Sequence, residues 1–147
     1  MSTGSYDVFT EHDHLHRLVD RLQAWVERRD QPDEEWLSGL CSRLEELNAD
    51  LVPHFRGEET MVFGDIRTRI PRFVSTVDNL IEQHRRMEKD FSRIGTQAKN
   101  LNPADSGAAS DIVEQLSKVL RLLSVHEQQE IELILSVYGQ DLGEPEG

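Results

Sequence analysis

The chain has 147 residues, 16 of them basic and 28 acidic, so its formal net charge is −12 with histidine neutral. This acidity argues against nucleic acid or an anionic membrane surface as a partner, because both are negatively charged. The length fits one domain with its own core. No apolar run reaches the roughly 20 residues of a membrane span, and the polar start lacks a signal-peptide pattern, so we expect a cytoplasmic protein. With Cys41 as the only cysteine, any metal here needs nitrogen and oxygen ligands.

Four segments carry apolar residues at alternating steps of three and four, which is the spacing of an amphipathic helix. Four such helices with short connections predict an all-α fold, an antiparallel up-down-up-down four-helix bundle. We expect a single domain over residues 1–147, with the bundle at about 7–138 and a flexible tail at 139–147. The predicted helices span about residues 7–29, 33–63, 71–99 and 111–138.

Turn-forming residues set the expected boundaries. The second helix should begin near Asp33, and Pro53 inside it predicts a kink or a short break, because proline removes a backbone hydrogen bond. We interpret 64–70 and 100–110 as connections, with Ser110 as the N-cap of the fourth helix.

Histidines interrupt the apolar seams of these helices. The seam of the second helix passes from its leucines to His54, Glu58 and Met61 without any change of period. Histidine and glutamate four residues apart lie on one face of a helix. The other helices carry further seam residues of the same types: His12, His84, His126 and Glu130.

In an antiparallel bundle these residues fall within a turn or two of one another, in one layer of the core. Four imidazoles and two carboxylates buried without a cation would cost several kcal/mol. Imidazole and carboxylate together suit iron, and two carboxylates able to bridge, with histidines at the ends, suit two ions better than one. A tetrahedral zinc site would need fewer ligands.

At these positions the sequence resembles the hemerythrin-like, or HHE, domain family, over about Asp7 to Tyr138. The resemblance implies a four-helix bundle around two iron ions with an oxo or hydroxo bridge. It further implies that Glu58 and Glu130 bridge the ions and that the four seam histidines are terminal ligands. The motifs that carry it are Glu11-His12, Leu18-Val19-Asp20-Arg21-Leu22, His54-Phe55-Arg56-Gly57-Glu58-Glu59, Glu82-Gln83-His84, and His126 with Glu130.

The sequence departs from the oxygen carriers of this family. Those carriers have a second histidine one turn after the third-helix histidine, where this chain has Glu88, and an aspartate five residues after the fourth-helix histidine, where it has Glu130 at four. Its histidine, His-x-x-x-Glu, histidine, His-x-x-x-Glu order is closer to a non-carrier branch linked to sensing and turnover of iron, oxygen, nitric oxide or peroxide.

Two further residues have more than one interpretation. His16 shares the predicted inward face with His12, and it is either an additional ligand or a residue behind the ligands. Glu88 either orients a ligand, binds metal itself or pairs with an arginine such as Arg85; we favour a role in orienting a ligand.

Fewer histidines leave coordination positions open, so we expect the di-iron centre to react with peroxide or oxygen, for example by catalase-like disproportionation. Whether the protein is an enzyme stays open. The alternative is a non-catalytic sensor or carrier of oxygen, nitric oxide or iron that acts through a separate protein partner, and a metal-free structural bundle is the third. Tyr6 is a candidate proton donor near the predicted metal end.

Overall fold

The computed structural model describes residues 8–28 and 33–139, and all regular structure within them is helical. Four long helices and the lack of strands in these ranges confirm the all-α prediction and agree with a four-helix bundle. Tyr6, the turn before Asp33 and most of the predicted tail lie outside the described residues. In chain order the segments are α1 (Val8–Glu27), α2 (Glu34–Gly57), a π-helical segment (Glu58–Phe63), α3 (Gly64–Arg69), a 3₁₀ turn (Pro71–Phe73), α4 (Val74–Lys99), α5 (Ser106–Ile134) and a second π-helical segment (Leu135–Gly139).

Helix α2 begins where the sequence predicts. The Asp33 side chain accepts a hydrogen bond from the Trp36 backbone N–H at 2.9 Å, which caps the first turn. The helix then continues through Pro53 to Gly57, so the predicted short break does not form. Leu51 and Phe55, on either side of the proline, are both buried, and their packing holds the two turns in place.

The end of this helix differs from the prediction. Met61 is 51% exposed, whereas the next residues, Val62 and Phe63, are buried. A π-helical turn carries more residues than an α-helical one, so the buried seam moves along by a residue. The predicted connection at 64–70 is also wrong, because α3 occupies most of it and is held there by the fully buried Ile66.

Helix α5 starts earlier than the sequence predicts. Its N-cap is Asp105 rather than Ser110, and the Asp105 side chain accepts a hydrogen bond from the Ala108 backbone N–H at 3.0 Å. The connection therefore shortens to 100–105. Both residues are good N-caps by type, and the burial of Ala109 favours the earlier start, because it packs the first turn against the core.

The long helices pack as α1 on α2, α2 on α4 and α4 on α5, with a smaller contact between α1 and α5. Among the described residues, no helix is both long enough and apolar enough to cross a membrane. Two groups of buried apolar side chains form the core. The main cluster contains Leu15, Leu22, Leu40, Leu44, Leu47, Leu51, Phe55, Met87, Phe91, Ile94, Leu116 and Leu123, among others. The end cluster contains Val62, Phe63, Ile66, Val77, Leu80, Leu133, Ile134 and Val137.

Two tryptophans join α1 to α2 at one end of the main cluster. The Trp25 indole N–H donates to the Trp36 carbonyl at 2.8 Å, and the Trp36 indole N–H donates to the Trp25 carbonyl at 3.1 Å. A Cβ on Gly39 would lie 2.1 Å from Cζ2 of Trp25, so this close approach requires glycine. This contact lies thirteen residues along α1 from His12, or about 20 Å.

Candidate metal centre

A layer of polar side chains separates the main cluster from the end cluster. Along α2 and the π-helical segment that continues it, the layer lies between Leu51 and Val62, and in α5 it lies between Leu123 and Leu133. Its members are buried to the same degree as the leucines beside them, with 0–4% of their surface exposed. We call it the polar layer, and it comprises the six predicted ligand residues His12, His54, Glu58, His84, His126 and Glu130.

The two carboxylates lie at its centre. His12 Nε2 is 2.9 Å from Glu58 Oε2 and 2.9 Å from Glu130 Oε1. His84 Nε2 also lies between the carboxylates, 3.1 Å from Glu58 Oε1 and 3.1 Å from Glu130 Oε2. Each carboxylate is therefore shared by helices that are far apart in the sequence.

The remaining two histidines each contact the carboxylate on their own chain segment. His54 Nε2 is 3.1 Å from Glu58 Oε2, and His126 Nε2 is 2.6 Å from Glu130 Oε2. The ligand atoms form two groups, and all atoms of a group lie within 4.8 Å of one another. Each group holds both carboxylates and two histidines: His12 and His54 in the first, and His84 and His126 in the second.

In this layer, burial and ion pairing shift the pKa values of the side chains in opposite directions. Burial by itself would lower the pKa of His12, but hydrogen bonds to Glu130 and Glu58 outweigh it and raise this pKa to about 10. The same balance raises the pKa of His84 to about 9. Burial favours the neutral form of Glu130, yet its hydrogen bonds to histidines hold the Glu130 pKa well below its usual value. The Glu130 carboxylate thus has histidines as positive partners, a role that a metal cation can take by displacing protons.

The outer nitrogens of two histidines are fixed by further residues. His84 Nδ1 donates to Glu59 Oε2 at 2.7 Å, and His126 Nδ1 donates to Gln83 Oε1 at 2.6 Å. Glu59 is itself held by Arg85 through bonds of 2.7 and 2.8 Å. With Nδ1 of each ring held by an acceptor, Nε2 is the ring nitrogen that can give up its proton and bind a cation.

The sequence interpretation missed three residues around the layer: Glu59, Gln83 and Glu127. Glu59 follows the predicted ligand Glu58 in the sequence, and Gln83 precedes the predicted ligand His84. These positions next to ligands are the only sequence feature that could have indicated their role. Glu127 follows His126 and lies one turn after the seam residue Leu123, which predicts burial. It is 4% exposed, and burial raises the pKa of Glu127 to about 7.

The prediction that His16 faces inward is wrong. Its side chain is 55% exposed, and its Nε2 lies 3.2 Å from Oε1 of Glu127. Four residues turn a helix by more than one full revolution, and this offset carries His16 past the buried face on which His12 lies.

Glu88 lies outside both ligand groups. It contacts Arg56 at 2.9 Å and Arg85 at 3.7 Å. Of the three interpretations of Glu88, these contacts agree with pairing to an arginine. Both arginines also contact Glu59, so Glu88 reaches His84 only through two intervening side chains.

A family model described as the hemerythrin HHE cation binding domain matches residues 3–138. This range includes all six residues of the polar layer and nearly all of the described helices. Neither a curated protein nor a solved structure gives a significant match to the chain.

Proposed function

Because this chain belongs to the hemerythrin HHE cation-binding family, we propose that its polar layer holds two iron ions. Domains of this family bind metal ions, and the buried histidines and glutamates of this chain are able to hold one. The observation that carries the proposal is the presence of two ligand groups that share the same two carboxylates. His12 and His54 would bind one ion, His84 and His126 the other, and the two shared glutamates would bridge them.

The donor set fits iron. Imidazole nitrogen and carboxylate oxygen are the ligands that iron accepts in non-haem sites, and the imidazole Nε2 atoms already converge on carboxylate oxygens at 2.6–3.1 Å. Each ion would receive two imidazoles and two bridging carboxylates. Since iron commonly takes six ligands, positions remain open for a small molecule.

The burial of the layer limits what can react there. All six residues are 0–4% exposed, so the reactant must be small, which favours oxygen, peroxide or nitric oxide over an organic substrate. Bound iron supplies the redox chemistry that oxygen and peroxide require. We therefore infer a protein that reacts with peroxide or oxygen, with catalase-like peroxide turnover as the specific hypothesis.

The chain's own residues orient the ligands and exclude bulk water. Glu59 and Gln83 hold the ring planes of His84 and His126 through Nδ1. Phe55 stacks on His84 with ring centroids 3.8 Å apart and planes 8° from parallel. This ring covers one face of the imidazole and keeps it from rotating.

We also infer the up-down-up-down order of the bundle, with one domain over the chain. From one contact to the next along α1, the residue number increases while the residue number of its partner on α2 decreases. Antiparallel neighbours require this order. The same holds between α4 and α5. The contacts are His14 with Asp50, Arg21 with Glu46, Trp25 with Trp36, Gln83 with Gln129 and Arg93 with Gln115.

The test is iron content and the near-ultraviolet and visible spectrum of protein purified in air, followed by peroxide consumption on the same sample. We expect two irons per chain with charge-transfer absorption, and peroxide consumption that Glu58→Gln abolishes. Glu46→Gln, which changes an exposed partner of Arg21, is the control and should match the parent. No metal, and no uptake of Fe(II) without air, would overturn the proposal.

The second candidate is a non-catalytic sensor or carrier of oxygen, nitric oxide or iron that acts through a partner protein. It is favoured by the position of the layer between the two apolar clusters, because a cation bound there stabilises the packing on both sides. Two irons that bind nitric oxide reversibly, without peroxide consumption, would favour this candidate over the enzyme.

A further inference from the structure

A third carboxylate is buried beside the polar layer. Glu127 is 4% exposed, and among the described residues its Oε2 atom has no hydrogen-bond partner. Its other oxygen lies 3.2 Å from Nε2 of His16. A buried oxygen without a hydrogen bond is costly, so this side chain calls for a ligand that the protein itself does not provide.

Glu127 lies on the His12 and His54 side of the layer. Its partner His16 lies one helical turn after His12 on α1, and the charge of Glu127 acts on His12, His54 and Glu130. His16, by contrast, has 55% of its side chain exposed. The pair therefore extends from solvent to a position beside one of the two ligand groups.

The opposite side of the layer is electrostatically different. There the Glu59 carboxylate pairs with Arg85 and Arg56, whose positive charges neutralise it, so it attracts a cation less than an unpaired carboxylate would. Glu59 contacts two arginines in addition to His84, whereas the ion-pair partner of Glu127 is the histidine His16. A histidine can give up its proton and offer a nitrogen lone pair, which an arginine in a protein does not do.

We propose that His16 and Glu127 form a loading site, where a divalent cation binds from solvent before it passes to His12 and His54. The site offers one imidazole nitrogen and one carboxylate, a donor pair that suits Fe(II). The chain's net charge of −12 attracts cations, and the buried carboxylates behind the site focus that attraction. This inference rests on the proposed metal centre.

The chain offers a matched control pair. His14 Nε2 lies 3.2 Å from Asp50 Oδ1, the same separation as in the loading site, and His14 is also on α1 and about half exposed. Among the described residues, Asp50 Oδ2 and Glu127 Oε2 both lack a hydrogen-bond partner. The pairs differ in the burial of the carboxylate, because the Asp50 side chain is 27% exposed and the Glu127 side chain 5%. A general effect of surface charge would involve both pairs equally.

The experiment mixes metal-free protein with Co(II) in the absence of air and follows the cobalt absorbance with time. The final metal content is measured on the same samples. We expect His16→Ala and Glu127→Gln to slow uptake by at least about tenfold while the final content stays that of the parent. His14→Ala should take up cobalt at the parent rate. Fe(II) uptake, measured by rapid desalting and metal analysis, should rank the variants in the same order.

Parent-like uptake rates in both loading-site variants would overturn the loading site and leave the metal centre intact. So would equal slowing in His14→Ala, which would assign the effect to surface charge. A lower final content in Glu127→Gln would make Glu127 a permanent ligand and also overturn the proposal. If the parent takes up no metal, the metal centre fails and the loading site with it. Because His16 is exposed, its variant keeps the test valid even if the Glu127 variant does not fold.

Discussion

The main cluster and the polar layer lie on the same helix seams and are equally buried, but they contribute to the stability of the fold under different conditions. A fully buried leucine of the main cluster contributes about 1.5–3 kcal/mol, and nothing outside the protein is needed for that. The polar layer buries two carboxylates and four imidazoles, which contribute only when a proton or metal supplies the balancing positive charge. A continuous seam can therefore contain one part that is stable by itself and one part whose stability depends on a cation.

The largest expected effect separates the shared ligands from the unshared ones. Glu58→Gln should remove nearly all bound metal, because Glu58 belongs to both ligand groups. His54→Ala should leave one ion, because His54 belongs to one group. Metal analysis of the purified variants measures both, with circular dichroism to check that each remains helical. One remaining ion in both variants would contradict the sharing of the carboxylate.

The second effect is the dependence of stability on metal. A ligand that binds only the folded state, at a free concentration about a thousand times its dissociation constant, adds about 4 kcal/mol to the free energy of unfolding. For a domain of this size, that raises the melting temperature by about 10 °C. Iron should produce this shift in the parent and none in Glu58→Gln. Thermal denaturation followed by circular dichroism provides the measurement. An equal melting temperature with and without iron would support a metal-free structural bundle.

The third effect comes from a substitution that disturbs packing at one end of the main cluster and leaves the polar layer unchanged. Gly39→Ala places a methyl group 2.1 Å from the Trp25 ring, which is held by its bond to Trp36, and should cost about 3 kcal/mol of unfolding free energy, the upper end for overpacking. The metal content of the folded protein should not change. Urea titration gives the free energy.

Gly95→Ala is the matched control for this variant. The nearest atom to its new Cβ is Asn48 Nδ2 at 3.9 Å, an ordinary contact, and alanine is a better helix former than glycine by roughly 1 kcal/mol. It should be neutral or stabilising. Equal destabilisation in the two variants would mean that the tryptophan contact is not the cause.

The smallest effect concerns the residues behind the ligands. Glu59→Gln removes the charge that accepts from His84 Nδ1 and should weaken metal binding by about tenfold. Competition with a chromophoric chelator measures the affinity. Glu88→Gln is the control: Glu88 contacts the same two arginines and, within the described ranges, no histidine, so the metal affinity of this variant should equal that of the parent. An unchanged affinity in Glu59→Gln would argue that packing, including that of Phe55, is enough to orient His84.

The candidate ligands were predictable because they obey the same periodicity as the core. His54 and Glu58 continue the leucine seam of α2, and a helix must bury whatever lies on its seam. His16 was not predictable in this way. It lies one turn from His12, and only the packing of α1 against its neighbours decides where along that turn the buried face ends.

The errors at helix ends have a related cause. Asp105 and Ser110 are both good N-caps by residue type, and the packing of Ala109 selects between them. The π-helical segment after Gly57 changes the residue count of a turn, so it moves Met61 out of the seam that its spacing predicts.

By itself the sequence determined the helical class, most of the seam positions and the identity of the six residues of the polar layer, because these depend on periodicity and residue type within single helices. The tertiary structure alone decided which carboxylate is shared by which histidines, that Glu59 and Gln83 fix the outer nitrogens, and that Glu127 is buried beside an exposed His16. These features join residues far apart in the chain, and their distances follow from how the helices pack against one another, which no local pattern encodes.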